Sequence, residues 1–72
     1  MAITVHLNGK KEELKDGMRV SDLLKERNIR PEVVTVELND AIVEKTKYGD
    51  TVIHDKDRIE FVYYMGGGRY AV

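Results

Sequence analysis

Three consecutive glycines, Gly66 to Gly68, are the residues whose type and spacing most suggest chemistry in this chain. Glycine lacks a Cβ, so such a segment passes close to the walls of a narrow channel and adopts backbone angles closed to other residues. A tail that threads into a partner enzyme is therefore one interpretation. A frayed terminus or a cloning remnant is the second. A phosphate-binding loop is disfavoured, because it needs spaced glycines ahead of a helix.

Few other side chains offer catalytic or metal-binding chemistry. The absence of cysteine excludes disulfides, a zinc knuckle, a redox motif and a cysteine nucleophile. The two imidazoles, His6 and His54, are predicted to be solvated, and no metal site is expected. Asp55 and Asp57 flank a lysine, a spacing that favours an acidic tight turn over an acid-base pair.

Length and charge narrow the class of protein further. A chain of 72 residues can close only one core and leaves little room for a catalytic pocket, so we do not expect an enzyme. The net charge of -1, with both signs interspersed, disfavours nucleic acid. There is no secretion signal or membrane-spanning run, which predicts a cytoplasmic protein, and we expect a monomer when it is free.

The first half of the chain predicts a β-hairpin followed by a helix. Apolar residues alternate over residues 3–7, and Asn8-Gly9 is a strong signal for a two-residue hairpin turn leading to a strand over residues 11–14. Helical spacing runs over residues 20–29, with Ser21 or Asp22 near its start, and Pro31 forbids its continuation.

The second half predicts strands over residues 34–38, 41–43 and 58–65, joined by an Asn39-Asp40 turn and an irregular crossover around Tyr48. Tyr48 is expected to bury its ring and keep its hydroxyl in water. This order of elements predicts an α+β fold of the ubiquitin-like β-grasp type, with a mixed sheet of four to five strands and one main helix.

Alternation along the last strand separates a core face from an open face. Ile59 and Phe61 are predicted to meet the helix, whereas Val62 and Tyr64 lie on the other face. Exposed apolar residues are common. Beside the glycines, however, Val62, Tyr64 and Met65 are candidates for docking a partner.

The chain resembles the ubiquitin-like sulfur carriers of the ThiS and MoaD type, and ThiS more closely. The resemblance covers residues 3–68, ends in Gly-Gly, and includes MRVSDLL at residues 18–24 and DKDRIEF at residues 55–61. It implies a β-grasp domain over residues 1–65 and a flexible tail over residues 66–72. In that tail, Gly67 and Gly68 form the sulfur-carrying terminus, and Gly66 is the flexible residue that leads to it.

The resemblance also implies partners and a reaction. A ubiquitin-activating-type adenylyltransferase, similar to ThiF or MoeB, adenylates the terminal glycine with ATP and magnesium that the carrier does not itself bind. Sulfur is then installed as a thiocarboxylate and passed to a synthase. Adenylation makes chemical sense, because a free carboxylate is a poor electrophile until it has a good leaving group.

Residues 69–72 depart from the family pattern, because Arg69 follows Gly68 and holds its carbonyl in a peptide bond. Some similar carriers have short tails that a zinc-dependent JAMM metallopeptidase removes. We therefore expect cleavage between Gly68 and Arg69. Thiamine thiazole synthesis is the favoured destination of the sulfur. Homocysteine or cysteine synthesis, a ubiquitin-like protein modifier and a β-grasp interaction module that does not use its tail are the alternatives.

Overall fold

The computed structural model describes residues 1–65 and 69–70, with only the backbone at residues 64, 65, 69 and 70. One α-helix, two short 3-10 helices and six strands make up this part of the chain. The helix α1 is Val20–Glu26, and the 3-10 helices are Pro31–Val33 and Lys45–Lys47. The strands are β1 (Ala2–Leu7), β2 (Lys10–Lys15), β3 (Val34–Leu38), β4 (Ala41–Val43), β5 (Arg58–Met65) and β6 (Arg69–Tyr70).

The main sheet has the order β2-β1-β5-β3-β4. The pair β1 and β5 is parallel, and the other neighbours are antiparallel, so the sheet is mixed. The predicted α+β architecture, a mixed sheet of four to five strands with one main helix, is confirmed. Strand β6 lies off this path and pairs with β5.

The turn between β1 and β2 is the two-residue turn that the sequence predicts. Leu7 pairs with Lys10, and the two residues between them, Asn8 and Gly9, have φ angles of 50° and 82°. A type I′ turn requires positive φ at both central positions, which glycine adopts freely and asparagine tolerates. The turn therefore fixes the hairpin register that places Ile3, Val5 and Leu7 on the core side.

Helix α1 ends three residues earlier than the predicted span of 20–29. Asn28 has a φ of 59°, the Asn28 N–H donates to the Lys25 carbonyl, and the Ile29 N–H donates to the Leu24 carbonyl at 2.9 Å. These two bonds form a Schellman motif, which closes a helix by capping its last free carbonyls. Ile29 still packs against the core, so its helical spacing reflected burial and not helical backbone.

The core lies between α1 and one face of the sheet. Leu23 and Leu24 of the helix and Ile59 of β5 are almost completely buried. Burial of each such side chain stabilises the fold by roughly 1.5 to 3 kcal/mol. Phe61 is also buried, which confirms the predicted core face of β5.

Tyr48 is buried as predicted, but its hydroxyl is not in water. The residue is only 3% exposed, and its hydroxyl donates a long hydrogen bond of 3.4 Å to the carbonyl oxygen of Val34. The Lys45 ammonium donates to the same oxygen at 2.9 Å. The prediction that the Tyr48 hydroxyl stays in water was wrong, because the hydroxyl donates its hydrogen bond to the Val34 carbonyl inside the fold.

The acidic turn before β5 is a structural device. The Asp55 carboxylate accepts the Thr4 N–H, and the Asp57 carboxylate accepts the His54 N–H, each at 2.8 Å. Asp57 also accepts the Asn39 side-chain amide at 2.9 Å. The turn interpretation of these two carboxylates is confirmed, and both anchor the start of β5.

Among the described residues, no helix is long and apolar enough to cross a bilayer.

Asn8 extends the pairing of β1 and β5 beyond the end of β1. Its N–H donates to the Ile59 carbonyl at 2.9 Å, and its side-chain oxygen accepts the Phe61 N–H at 2.7 Å. The side-chain oxygen of Asn8 thus accepts the hydrogen bond that a backbone carbonyl would accept if β1 continued. The Asn8 side chain fixes the path of β5 as it passes the hairpin turn.

We expect Asn8→Gly to lower the free energy of unfolding by about 1 kcal/mol, because it keeps the left-handed backbone and removes only the acceptor of the Phe61 N–H. Urea unfolding measures this. Asn28→Gly is the matched control, since Asn28 has a similar φ of 59° and its side chain has no hydrogen bond within the described residues. We expect no loss in the control. Equal stability of Asn8→Gly and the wild type would contradict the role of this bond.

Candidate functional site at the end of the last strand

The end of β5 extends past the paired body of the sheet. The register with β1 covers Arg58 and Ile59, and the register with β3 ends at the pair Val34 and Tyr63. The remaining residues, Tyr64 and Met65, pair with Tyr70 and Arg69 of β6. The strand therefore begins in the middle of the sheet and ends beyond the strands that flank it there.

The predicted tail lies mostly outside the described residues. The described residues do not include Gly66, which is predicted to be part of the flexible tail, or Gly67 and Gly68, the predicted sulfur-carrying terminus. These roles therefore stay predictions. Arg69, on the far side of the predicted cleavage site, lies in β6 opposite Met65. The backbone that follows the glycines is thus antiparallel to the backbone that precedes them.

The predicted docking residues lie at the end of β5. Val62 is 45% exposed on the sheet face opposite the helix, as expected from the alternation. Tyr64 and Met65 are the last two residues of the same strand. Their role in docking stays a prediction.

Sequence reasoning missed one exposed apolar residue on this face, Ile42. It is 69% exposed and pairs with Glu37 of β3, which in turn pairs with Glu60 of β5. The stretch Ala41–Val43 is apolar throughout, so alternation gives no signal for which side chain faces outward. Only the register with β3 reveals that Ile42 and Val62 lie on the same open face.

The two histidines are exposed, as predicted, and lie apart from the end of β5. His6 pairs in register with Arg58 at the start of that strand, and His54 precedes the acidic turn. They contribute no group to the candidate site.

The model of the ThiS family matches residues 2–68. The chain belongs to the ThiS family. The sulfur carrier protein ThiS of Bacillus subtilis is 37% identical over 65 residues, which cover 89% of this chain and 98% of that protein. A crystal structure of the thiamine biosynthesis protein ThiS from Geobacter metallireducens has a TM-score of 0.79 and 35% identity, covering 92% of this chain and 100% of that one.

A longer protein also contains a similar segment. The thiazole synthase of Magnetococcus marinus is 38% identical over 66 residues, which cover 92% of this chain. This chain spans only 20% of the length of that synthase.

Membership of the ThiS family confirms the resemblance and the β-grasp fold predicted from the sequence. It makes the chain a member of a family of small sulfur carriers. The family match ends at Gly68, which is the residue predicted as the sulfur-carrying terminus, and leaves residues 69–72 outside it.

On the helix side of β5, the ring of Tyr63 lies beside a shallow groove of this ThiS-family chain. Tyr63 is 41% exposed although it is in phase with the buried Ile59 and Phe61, and its ring meets that of Phe61 edge to face at 6.3 Å. A shallow groove beside Tyr63 is bordered by the ion pair between Arg27 and Glu12. The pair joins the end of α1 to the hairpin.

The ion pair shifts the pKa values of both partners. The hydrogen bond from the Arg27 guanidinium lowers the pKa of the Glu12 carboxyl below its ordinary value of 4.5, against the opposing effect of burial. The same bond raises the pKa of Arg27. Because folding lowers the Glu12 pKa, the pair stabilises the fold above the pKa of the unfolded chain, and this stabilisation is lost as the pH falls through the folded value.

We expect Glu12→Gln to lose less stability than the wild type between pH 7 and pH 3. The difference should be below about 1 kcal/mol, since the pair is partly exposed. Urea unfolding at the two pH values measures it. Glu13→Gln removes the same charge next in sequence without breaking an ion pair between described residues, and it controls for net charge. Equal losses in Glu12→Gln and the wild type would contradict a stabilising pair.

Proposed function

We propose that this chain carries sulfur as a thiocarboxylate on Gly68 and donates it to the synthesis of the thiamine thiazole. The observation that carries the proposal is the family match, which spans the β-grasp domain and ends at Gly68. The similarity to a sulfur carrier protein over nearly the whole of both chains supports it. In this proposal the chain is a carrier and contributes no catalytic residue.

The proposed reaction has two steps at the Gly68 carboxylate. A carboxylate oxygen first attacks the α-phosphorus of ATP and displaces pyrophosphate, which gives an acyl-adenylate. Hydrosulfide supplied by the partner system then attacks the carbonyl carbon of the acyl-adenylate, which forms the C–S bond and expels AMP, and loss of the sulfur-bound proton leaves the thiocarboxylate. A ThiF- or MoeB-like adenylyltransferase supplies the catalytic groups, ATP and magnesium, whereas this chain supplies the carboxylate on a segment that enters the partner's channel.

The proposed acceptor is a thiazole synthase. The support is the thiazole synthase of Magnetococcus marinus, in which a segment similar to this chain is part of the same polypeptide. The thiazole synthase of Paramagnetospirillum magneticum contains a similar segment, 36% identical over 62 residues. Joining a carrier to its acceptor raises the effective concentration of one for the other.

We further propose that a JAMM-type metallopeptidase hydrolyses the bond between Gly68 and Arg69. The support is that Arg69 follows Gly68, so the carboxylate to be activated does not exist until water adds across that bond. Cleavage would also detach β6, which pairs with the last two residues of β5. Hydrolysis would thus create the carboxylate and free the end of the strand in one event.

Activation can be tested with a chain ending at Gly68, the full-length chain and the ThiF-type adenylyltransferase from the same cells. We expect ATP-pyrophosphate exchange with the shortened chain and only background exchange with the full-length one. Replacement of Gly68 by alanine in the shortened chain should lower exchange by about tenfold or more, because a misplaced carboxylate loses at least ~1.4 kcal/mol of transition-state stabilisation. Equal exchange by all three chains would contradict the assignment of Gly68.

The intact mass of the protein recovered from its native cells tests processing and loading. We expect a species that lacks residues 69–72 and a second one heavier by the difference between sulfur and oxygen. Full-length chains alone, in cells with working sulfur transfer, would contradict the cleavage. A ladder of heavier covalent species on denaturing gels would instead indicate a protein modifier.

A further inference from the structure

The backbone of Tyr63 faces away from β3, although Tyr63 is in register with Val34 of that strand. The Val34 N–H donates to the carbonyl of Pro31. The Val34 carbonyl accepts the Lys45 ammonium at 2.9 Å, on the side of β3 that is remote from β5. Opposite residues of an antiparallel pair that exchange no hydrogen bonds point their backbone groups away from each other. The N–H and C=O of Tyr63 therefore point to the other edge of β5.

On that other edge, the neighbouring strand ends before the level of Tyr63. The Ile59 carbonyl accepts the Asn8 N–H, and the Phe61 N–H donates to the Asn8 side chain. The hairpin turn then leads the chain away into β2. Beyond Phe61, this side of β5 has no neighbour among the main-sheet strands that the structure describes. We call this stretch, from Phe61 to Met65, the free edge of β5.

Strand β6 is in position to use the free edge. It pairs antiparallel with the last two residues of β5. The opposite edge of β5 is flanked by the 3-10 helix Pro31–Val33, which directly precedes β3 and contacts β5. The free edge is therefore the side with room for β6. Unpaired N–H and C=O groups along a strand edge are a template for pairing with a further strand.

The register of β6 shows where the next residues go. Tyr70 is opposite Tyr64, so the chain runs back along β5 in the direction of Asn8. Ala71 and Val72 follow in the sequence and lie outside the described residues. Two residues of extended chain cover about 7 Å. The same register brings Ala71 opposite Tyr63 and Val72 opposite Val62.

We propose that residues 69–72 form one strand on the free edge of β5 and that Ala71 exchanges two backbone hydrogen bonds with Tyr63. The Ala71 N–H donates to the Tyr63 carbonyl, and the Tyr63 N–H donates to the Ala71 carbonyl. Directly opposite residues share a face of the sheet. Val72 is thus placed against Val62, which is 45% exposed without it. The occupant of the free edge is the chain's own C-terminal segment.

This strand makes the segment after the glycines a cover for the end of β5. A peptidase can bind Arg69 as a separate extended segment only after β6 has left β5, so docking slows the proposed cleavage. Once the bond is cut, the segment loses the high effective concentration that its covalent link provided, and it dissociates. The free edge is then open only in the processed carrier. This consequence, unlike the docking itself, rests on the proposed function.

Amide hydrogen exchange measured by NMR tests the docking in the protein alone. We expect the Tyr63 N–H to exchange about tenfold or more slowly in the full-length chain than in a chain ending at Gly68, because a docked strand protects it. The Phe61 N–H is the internal reference. Its acceptor is the Asn8 side chain in both chains, so its exchange rate should not change.

Two proline variants of the full-length chain form a matched pair. Backbone groups alternate along a strand, so the Ala71 N–H faces Tyr63 and the Val72 N–H faces away. Proline has no N–H. We expect Ala71→Pro to lose most of the protection at Tyr63, whereas Val72→Pro should keep it. With the JAMM-type peptidase from the same cells, we expect Ala71→Pro to be cut several-fold faster than Val72→Pro. Equal cutting rates would contradict the slowing of cleavage.

Equal exchange of the Tyr63 N–H in the full-length and shortened chains would overturn the docking. Protection that rises with protein concentration would also overturn it, because a second copy of the chain would then occupy the free edge. Neither result affects the carrier function, since no partner takes part in the exchange measurement. If the chain ending at Gly68 is not activated by the adenylyltransferase, the carrier function fails, and the protection of Tyr63 still decides the docking.

Discussion

The parallel pairing of β1 and β5 is the constraint on which the rest of the structure depends. Parallel strands cannot be joined by a tight turn and need a crossover connection. In this chain everything from Asn8 to Asp57 is that connection, and it contains the other main-sheet strands and the helix. The central strand of the sheet is therefore the last main-sheet strand in the sequence.

Because β5 lies in the centre of the sheet, the core and the neighbouring strands hold the strand that leads to the end of the domain. Its first half is held by β1, by β3 and by the side chain of Asn8, and Ile59 and Phe61 are buried beneath the helix. Only its last two residues run beyond β3. Anchoring of its first half therefore sets where the last residues of β5 leave the sheet.

Local signals in the sequence were enough for most of this architecture. Asn8-Gly9 specified its turn, and alternation identified the core face of β5. The failures involve partners distant in sequence. The carbonyl that binds the Tyr48 hydroxyl and the register that exposes Ile42 both come from β3, and neither leaves a local pattern.

The helix end and the candidate site show two further limits of sequence reasoning. Ile29 continues the apolar spacing although Asn28 has already turned the chain, because burial and helical backbone are separate properties. At the site, the glycines and Val62 were identifiable from composition and alternation. The facing of Glu37 and Glu60 was not, since it depends on how β3 and β5 align.

The distribution of carboxylates separates the parts of the molecule that maintain the fold from those available to a partner. Asp22, Asp55 and Asp57 accept backbone N–H groups, and Glu12 is paired with Arg27. Within the part of the chain that the structure describes, Glu37 and Glu60 accept no hydrogen bond and form no ion pair, although they are directly opposite each other on β3 and β5. Both side chains lie on the open face of the sheet, where neither holds the backbone in place.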